Sequence, residues 1–323
     1  MGVWQVDPTA AQLLNRGARA WHADFFQLAA AAGQPVTTAL SMELVNPPVE
    51  FAAQFPDGTA VVTSTGFGGL QSAHCAFRAD VRAFQSAALL EIAALQSAAG
   101  LAPSLQCGEF TWWYFSNYSS SNTGGGMGYY DSETTGAALA ALGQALHVFT
   151  GPNDDPLGYE ADATFLRNRL RDHVAGVIGV VKAVYPTAEF EVLFPYDVNY
   201  PAPAGIHNLG GRLNRFVNLP VEWASKVTAG FDRFRIEALD HGAWSRDLDL
   251  ARACLRFPLD LGWPVSSVRA MIPVFRGGYP WGREVEYAQE IGMEGVNLWA
   301  FDHVCLYGCV VGEQRHGRAQ FQG

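Results

Sequence analysis

Residues 102–115, APSLQCGEFTWWYF, decide how this chain is read. The apolar segment Leu105–Cys107 ends at Gly108-Glu109 and is followed at once by Thr111-Trp112-Trp113-Tyr114-Phe115. A short apolar run closed by glycine predicts a buried strand over 102–110. That strand would deliver one carboxylate to its C-terminal end, beside a bank of flat rings. A carboxyl group that gives a proton or holds charge, next to rings that stack on sugar faces, is the chemistry of glycoside cleavage.

The same strand-then-helix pattern extends on both sides. Asp7-Pro8 predicts the N-cap and first residue of a helix running to about Ala32 and stopped by Gly33. Leu13, Leu14, Ala18, Trp21, Phe25 and Leu28 recur in it at helical spacing. Residues 35–45 read as a strand. A long loop, 46–72, follows with Pro47-Pro48, Asp57-Gly58 and a hairpin around 59–64, and then a helix over 79–99 stopped by Gly100. After strand 102–110 come a loop at 116–133, a helix near 134–148, and a strong helix at 162–185 ended by Pro186. Strand 189–195, loop 196–218 and a helix near 220–229 come next. The series closes with strand 233–239, helix 247–261 capped by Asp247, strand 267–275, helix 281–292 opened by Pro280, and strand 295–302.

Alternating strands and helices imply parallel strands joined by right-handed crossovers. No glycine-rich phosphate fingerprint follows any strand, which argues against a dinucleotide-binding sheet. Long loops follow the strand C-termini and short ones return to the next strand, as in a barrel whose loops gather on one face. The expectation is an α/β fold, a (β/α)8 TIM-barrel-like single domain spanning residues 1–323. Six strands are clear where a barrel needs eight. Val3-Trp4-Gln5-Val6 offers a seventh, so the chain reads either as a barrel short of one or two N-terminal strands within a larger parent polypeptide, or as a barrel with one further, irregular strand.

Composition narrows the function classes. Apolar residues make up 49% of the 323 and charged ones only 16%, which predicts a packed core. A formal net charge of −10 offers no basic field for nucleic acid. No transmembrane run and no signal peptide are visible, and no location is assigned. Cys75, Cys107, Cys254, Cys305 and Cys309 form no CxxC pair and read as free thiols. Neither a serine-nucleophile elbow nor a His-x-His strand is present, so no metal and no cofactor is expected. His74 and His173 read as helix residues at the surface or in packing, and Asp154-Asp155 as a turn or cap. Asp131 with Glu133 reads as a solvated loop pair before a cation site. The run Gly124–Gly126 with Tyr129-Tyr130 reads as a mobile aromatic lid.

The strand ends carry Glu43, Glu109, Asp197 with Asn199, Glu237 with Asp240 and His241, and Asp302 with His303. In these terms the chain resembles (β/α)8-barrel glycoside hydrolases. Glu109 with Trp112 and Trp113 looks like the acid/base strand of that group, and Trp299 like its sugar-platform tryptophan. The resemblance implies Glu109 as general acid and Glu237 as nucleophile or base. Glu43 or Asp302 is an alternative partner. Glu43, Trp112, Trp113, Asp197, Asn199, Arg235, Trp299 and Asp302 would line a carbohydrate site. Phe110 and Trp112 would raise the proton affinity of Glu109 by desolvation, and Arg235 would hold Glu237 ionised. Two departures stand out: Gly108 replaces the Asn that precedes the acid in the largest clan, and Glu237 lies two strands after Glu109 instead of three. The segments SMELVNPP (41–48), GEFTWWYF (108–115) and NLWAFDHVCLYG (297–308) are also similar to TIM-barrel domains embedded in large phage-tail-like proteins. That resemblance implies a non-catalytic module for carbohydrate binding or assembly.

Overall fold

A computed structural model describes residues 5–63, 72–112, 126–200, 211–237, 247–274 and 281–299. Six parallel strands follow one another in the order β1 (Thr38–Ser41), β5 (Ser104–Gly108), β6 (Glu189–Pro195), β7 (Arg233–Glu237), β8 (Val268–Pro273) and β9 (Gly295–Trp299). Each strand adds beside the one before it, with helices in the connections. A doubly wound sheet would reverse direction at a switch point, and this order never does. It is the winding of a TIM-like barrel, with six of the strands among the described residues. Burial fits two covered faces: Leu105, Gln106, Cys107 and Gly108 are all buried, as is β6 from Phe190 to Pro195.

Contacts divide the chain into two compact units. The first comprises Met1–Val192 with Arg212–Pro220, the second Leu193–Gly211 with Val221–Gly323. In the first, β1 lies parallel to β5 with Ser41 opposite Gly108. Helices α2 (Ala79–Ala98) and α4 (Glu160–Val184) carry its core. On α4, Leu166, Leu170, Val174, Val177, Ile178 and Val181 are buried at the spacing of one helical face. Gln96 on α2 is fully buried and ties both strand starts together. Its amide donates to Val36 O (3.2 Å), Thr38 Oγ1 (3.1 Å) and Ser104 O (3.2 Å), and it accepts from Ser104 N (3.0 Å). In the second unit, β7, β8 and β9 pair in parallel, and Phe231, Phe234 and Trp263 pack against one another. Helix α7 (Leu248–Leu261) begins at Asp247, whose carboxylate accepts from Asp249 N and Leu250 N.

Several expectations need correction. Asp7-Pro8 opens a turn: Asp7 accepts from Thr9 N and Thr9 Oγ1, and the helix α1 (Arg16–Ala31) starts after Asn15, whose side chain accepts from Ala18 N. The buried face of α1 is Phe26 and Ala29, while Trp21, Phe25 and Leu28 are exposed. The strand expected over 35–45 breaks at buried Met42. Its second half, β2 (Glu43–Val45), joins an antiparallel sheet with β4 (Ser72–His74) and β3 (Val62–Thr63). The hairpin of the 46–72 loop turns at Asp57-Gly58, where Phe55 N bonds Thr59 O. Helix α3 (Ser132–Leu142) stops short of 148 because Gly143 takes a left-handed conformation (φ +71°). The helix expected at 220–229 shrinks to a 3-10 turn, Val221–Ala224, after which Ser225 Oγ accepts from Val227 N and competes with helical bonding. Two short helices, α5 (Tyr196–Asn199) and α6 (Arg212–Val217), occupy parts of the 196–218 loop. Val3 and Trp4 lie outside the described residues, and Gln5 and Val6 form no strand.

His74 sits on β4, not on a helix, and like His173 on α4 it is buried. Burial lowers both imidazoles to about 3, so they are neutral in the fold. An unfolded histidine takes up a proton near its ordinary 6.5 and the folded one does not, so both contribute stability above that pH and lose it as pH falls. The melting temperature should therefore drop between pH 6.5 and 4, and less steeply in His173→Gln, which thermal unfolding across that range checks. Gln96→Ala leaves buried strand groups without partners and should cost about 2–3 kcal/mol in urea unfolding.

Candidate active site

The turn after β5 builds the site around Glu109. Glu109 has φ +55°, a left-handed conformation that a residue other than glycine seldom adopts. Thr111 N closes the turn on Glu109 O at 2.9 Å. The side chain is half-buried and accepts one hydrogen bond, from Ser41 Oγ to Oε2 at 3.1 Å. The same hydroxyl oxygen accepts from Glu43 N at 3.0 Å. One serine thus joins the carboxylate of Glu109 to the backbone of Glu43. Burial raises the proton affinity of Glu109 and the Ser41 bond lowers it in part, leaving a net rise. Glu43 opens β2 and stands opposite His74 in its antiparallel register.

Gly108 has a steric role. A Cβ there would stand 3.3 Å from Leu40 O, tighter than most real contacts, and in ordinary contact with Gln106 Oε1 at 3.5 Å. The β1–β5 pairing therefore leaves little room for the Asn that the hydrolase resemblance would put at this position.

Trp112 is a core residue. It is 1% exposed and meets Phe77 edge-on at 4.1 Å and Tyr129 at 5.4 Å. Its indole donates to Leu166 O, and Asn218 brackets its backbone, accepting from Trp112 N (2.7 Å) and donating to Trp112 O (2.9 Å). Its ring is occupied by these contacts, a core role in place of the carbohydrate-lining one expected of Trp112. The expected lid is corrected likewise at Tyr129 and Tyr130, both buried. The Tyr130 hydroxyl donates to His147 O (2.6 Å) and accepts from Phe149 N (2.7 Å). Asp131 caps α3, and Glu133 accepts from Ala79 N at the start of α2 and pairs with Arg169. Both carboxylates serve helix ends; Asp131 is buried, whereas Glu133 keeps part of its side chain in solvent.

The second unit holds a separate set of strand-end groups. Arg235 and Glu237 are buried on β7, and Asp197 and Asn199 are buried on α5, where Asn199 donates to Pro195 O at 3.0 Å. Burial, then the charges of Asp197, Glu284 and Glu237, hold the Cys254 thiol well above its ordinary value. These three acids therefore gather within electrostatic reach of one thiol. Glu284, in the first turn of α8 (Trp281–Glu290), was not legible as a member from sequence. Trp299 ends β9 with 38% exposure. Trp113, Asp240, His241, Asp302, His303, Cys305 and Cys309 lie outside the described residues. Among the described residues, no group of three or more His, Cys, Asp or Glu is arranged to hold a metal ion.

Over residues 3–305 the chain matches the TIM barrel of the non-contractile tail sheath protein. The chain belongs to this family. In structure, this tail-sheath barrel is similar to the catalytic domain of β-amylase from Paenibacillus polymyxa, with TM-score 0.59, 12% identity, and coverage of 93% of this chain and 83% of that one. The PgaB (BpsB) glycoside hydrolase domain from Bordetella bronchiseptica matches with TM-score 0.49 and 11% identity over 92% of this chain and 79% of that one. A β-1,4-mannanase from the sea hare Aplysia kurodai matches with TM-score 0.41 and 13% identity over 96% and 74%. The β-amylase likeness shows a shared barrel fold. No curated protein sequence matches the chain.

Glycine adopts the Glu109 backbone conformation without steric cost, so Glu109→Gly should raise stability by about 1 kcal/mol. Glu109→Gln should gain stability over wild type as pH rises from 4 to 7, because the amide carries no charge to desolvate. That advantage should shrink as pH falls and the wild-type carboxyl takes up its proton. The sign follows from the raised folded-state proton affinity, which favours the fold at low pH and is lost as pH rises. Urea unfolding of the three proteins at pH 4 and pH 7 checks both statements.

Proposed function

We propose that this chain is the barrel module of a tail-sheath subunit, a structural part of a larger repeating assembly built on the fold of sugar-cleaving barrels. The family match across residues 3–305 carries this reading. Two features of the chain support it. The tryptophan nearest Glu109 in sequence, Trp112, is committed to the core instead of to a ligand, and so is Phe110 beside Glu109. On α1, Trp21 (59% exposed) stacks on Phe25 at 5.0 Å and Leu28 (71% exposed) continues the stripe, an apolar surface of the kind that packs within assemblies.

A second reading is glycoside hydrolysis or carbohydrate binding. It is favoured by one observation: Glu109 holds a strained, desolvated carboxyl at a strand end, the conformation a fold retains when the group itself is needed. In that reading Glu109 is the general acid and Glu237 the nucleophile or base. No cofactor enters either reading.

Antibodies raised against the chain should label assembled tails at regular intervals along the shaft in electron micrographs. Label absent from the shaft would overturn the sheath reading. A parallel screen on chromogenic glycosides and polysaccharides compares wild type with Glu109→Gln and Glu237→Gln. Turnover by wild type that both variants lose would establish the second reading.

A further inference from the structure

Ser41 is the one hydroxyl that touches the Glu109 carboxylate among the described residues, and both its bonds have a direction. A serine hydroxyl has a single proton and two lone pairs. Glu43 N–H can only donate, so at 3.0 Å it occupies a lone pair of Ser41 Oγ. A carboxylate oxygen can only accept, so the one Ser41 proton points along the 3.1 Å contact to Glu109 Oε2. The bond from Glu43 N, fixed by the turn from β1 into β2, therefore fixes the rotor.

We propose that Ser41 is the positioning residue of Glu109: it holds Oε2 as a permanent acceptor, so that Oε1 is the oxygen that gains and gives the proton. An Oε2 that already receives the Ser41 proton is the poorer base of the two, and a proton arriving on the carboxyl goes to Oε1. The strand register supports the assignment. Ser41 is the last residue of β1 and lies opposite Gly108, the residue before Glu109. The left-handed backbone at Glu109 then carries the side chain to the serine instead of along the strand. The ionisable side chains on the neighbouring strands are Glu43 on β2, His74 on β4, Cys107 on β5, and Glu189 and Glu191 on β6. His74 is neutral, Cys107 is held protonated by burial, and Glu191 accepts from Gln106 at 2.5 Å. Ser41 sets the electrostatics of Glu109 by direct contact, whereas Glu43 reaches that contact through its backbone amide.

The inference deepens the second reading of the site, in which Glu109 is the proton donor, and its test does not depend on activity. The probe is the carbon-13 chemical shift of the Glu109 side-chain carboxyl, assigned by its disappearance in Glu109→Gln and followed from pH 3 to 9. Ser41→Ala should raise the titration midpoint by about one pH unit, the effect of losing one hydrogen bond to the charged form. Ser41→Thr keeps the hydroxyl and should restore the wild-type midpoint. Equal midpoints in wild type and Ser41→Ala, with both folded by circular dichroism, would overturn the proposal. A raised midpoint in Ser41→Thr equal to that of Ser41→Ala would overturn it as well. If the midpoint shifts as expected while no glycoside is turned over, the positioning role stands and the hydrolase reading fails by itself.

Discussion

The pairing of β1 with β5 is the constraint on which the candidate site depends. It places Ser41 opposite Gly108 and so brings a hydroxyl to the residue that follows. One buried amide, Gln96, holds that pairing by bonding backbone groups at the starts of both strands. A slip of one position would turn every side chain of β1 to the other face and remove Ser41 from Glu109. A fully buried polar group on α2 thus fixes where the chemistry of the strand ends can sit.

Glu109 shows two costs in one residue. Its backbone lies in a region that glycine enters freely, and its carboxyl loses hydration. The hydrogen bond from Ser41 offsets part of the second cost and none of the first. A turn needed only to leave the strand would be met by a second glycine after Gly108. The chain belongs to the family of the non-contractile tail sheath TIM barrel, and it shares its barrel fold with the catalytic domain of a β-amylase.

The aromatic residues divide by environment rather than by type. Trp112, Tyr129 and Phe149 pack edge-on at centroid distances of 5.4 and 6.4 Å, which spends their ring faces on one another. Trp21 and Phe25 on α1 and Trp299 on β9 keep open surface. A sequence of alternating aromatics and glycines reads equally as a lid, a platform or a core. Only the partners distinguish them: Tyr130 is immobilised by bonds to His147 and Phe149, residues of a segment that its own local sequence does not announce.

The sequence by itself determined the order of the elements, because hydrophobic runs, glycine and proline stops and side-chain caps act within a few residues. Strand 189–195, the cap at Asp247 and the stop before Gly100 are all of that local kind. It also determined that Glu109 would stand at a strand end, since Gly108 closes the run. The break at Met42, which sends Glu43 into a second sheet, was decided by pairing with His74 across about thirty residues of chain. The role of Trp112 was decided by Phe77, Leu166 and Asn218, and that of Ser41 by the register with Gly108. These are contacts between distant segments, and neither propensity nor periodicity carries information about which distant partner a side chain will meet. Tertiary structure alone turned a carboxylate beside aromatics into a strained, half-buried acid held by a serine.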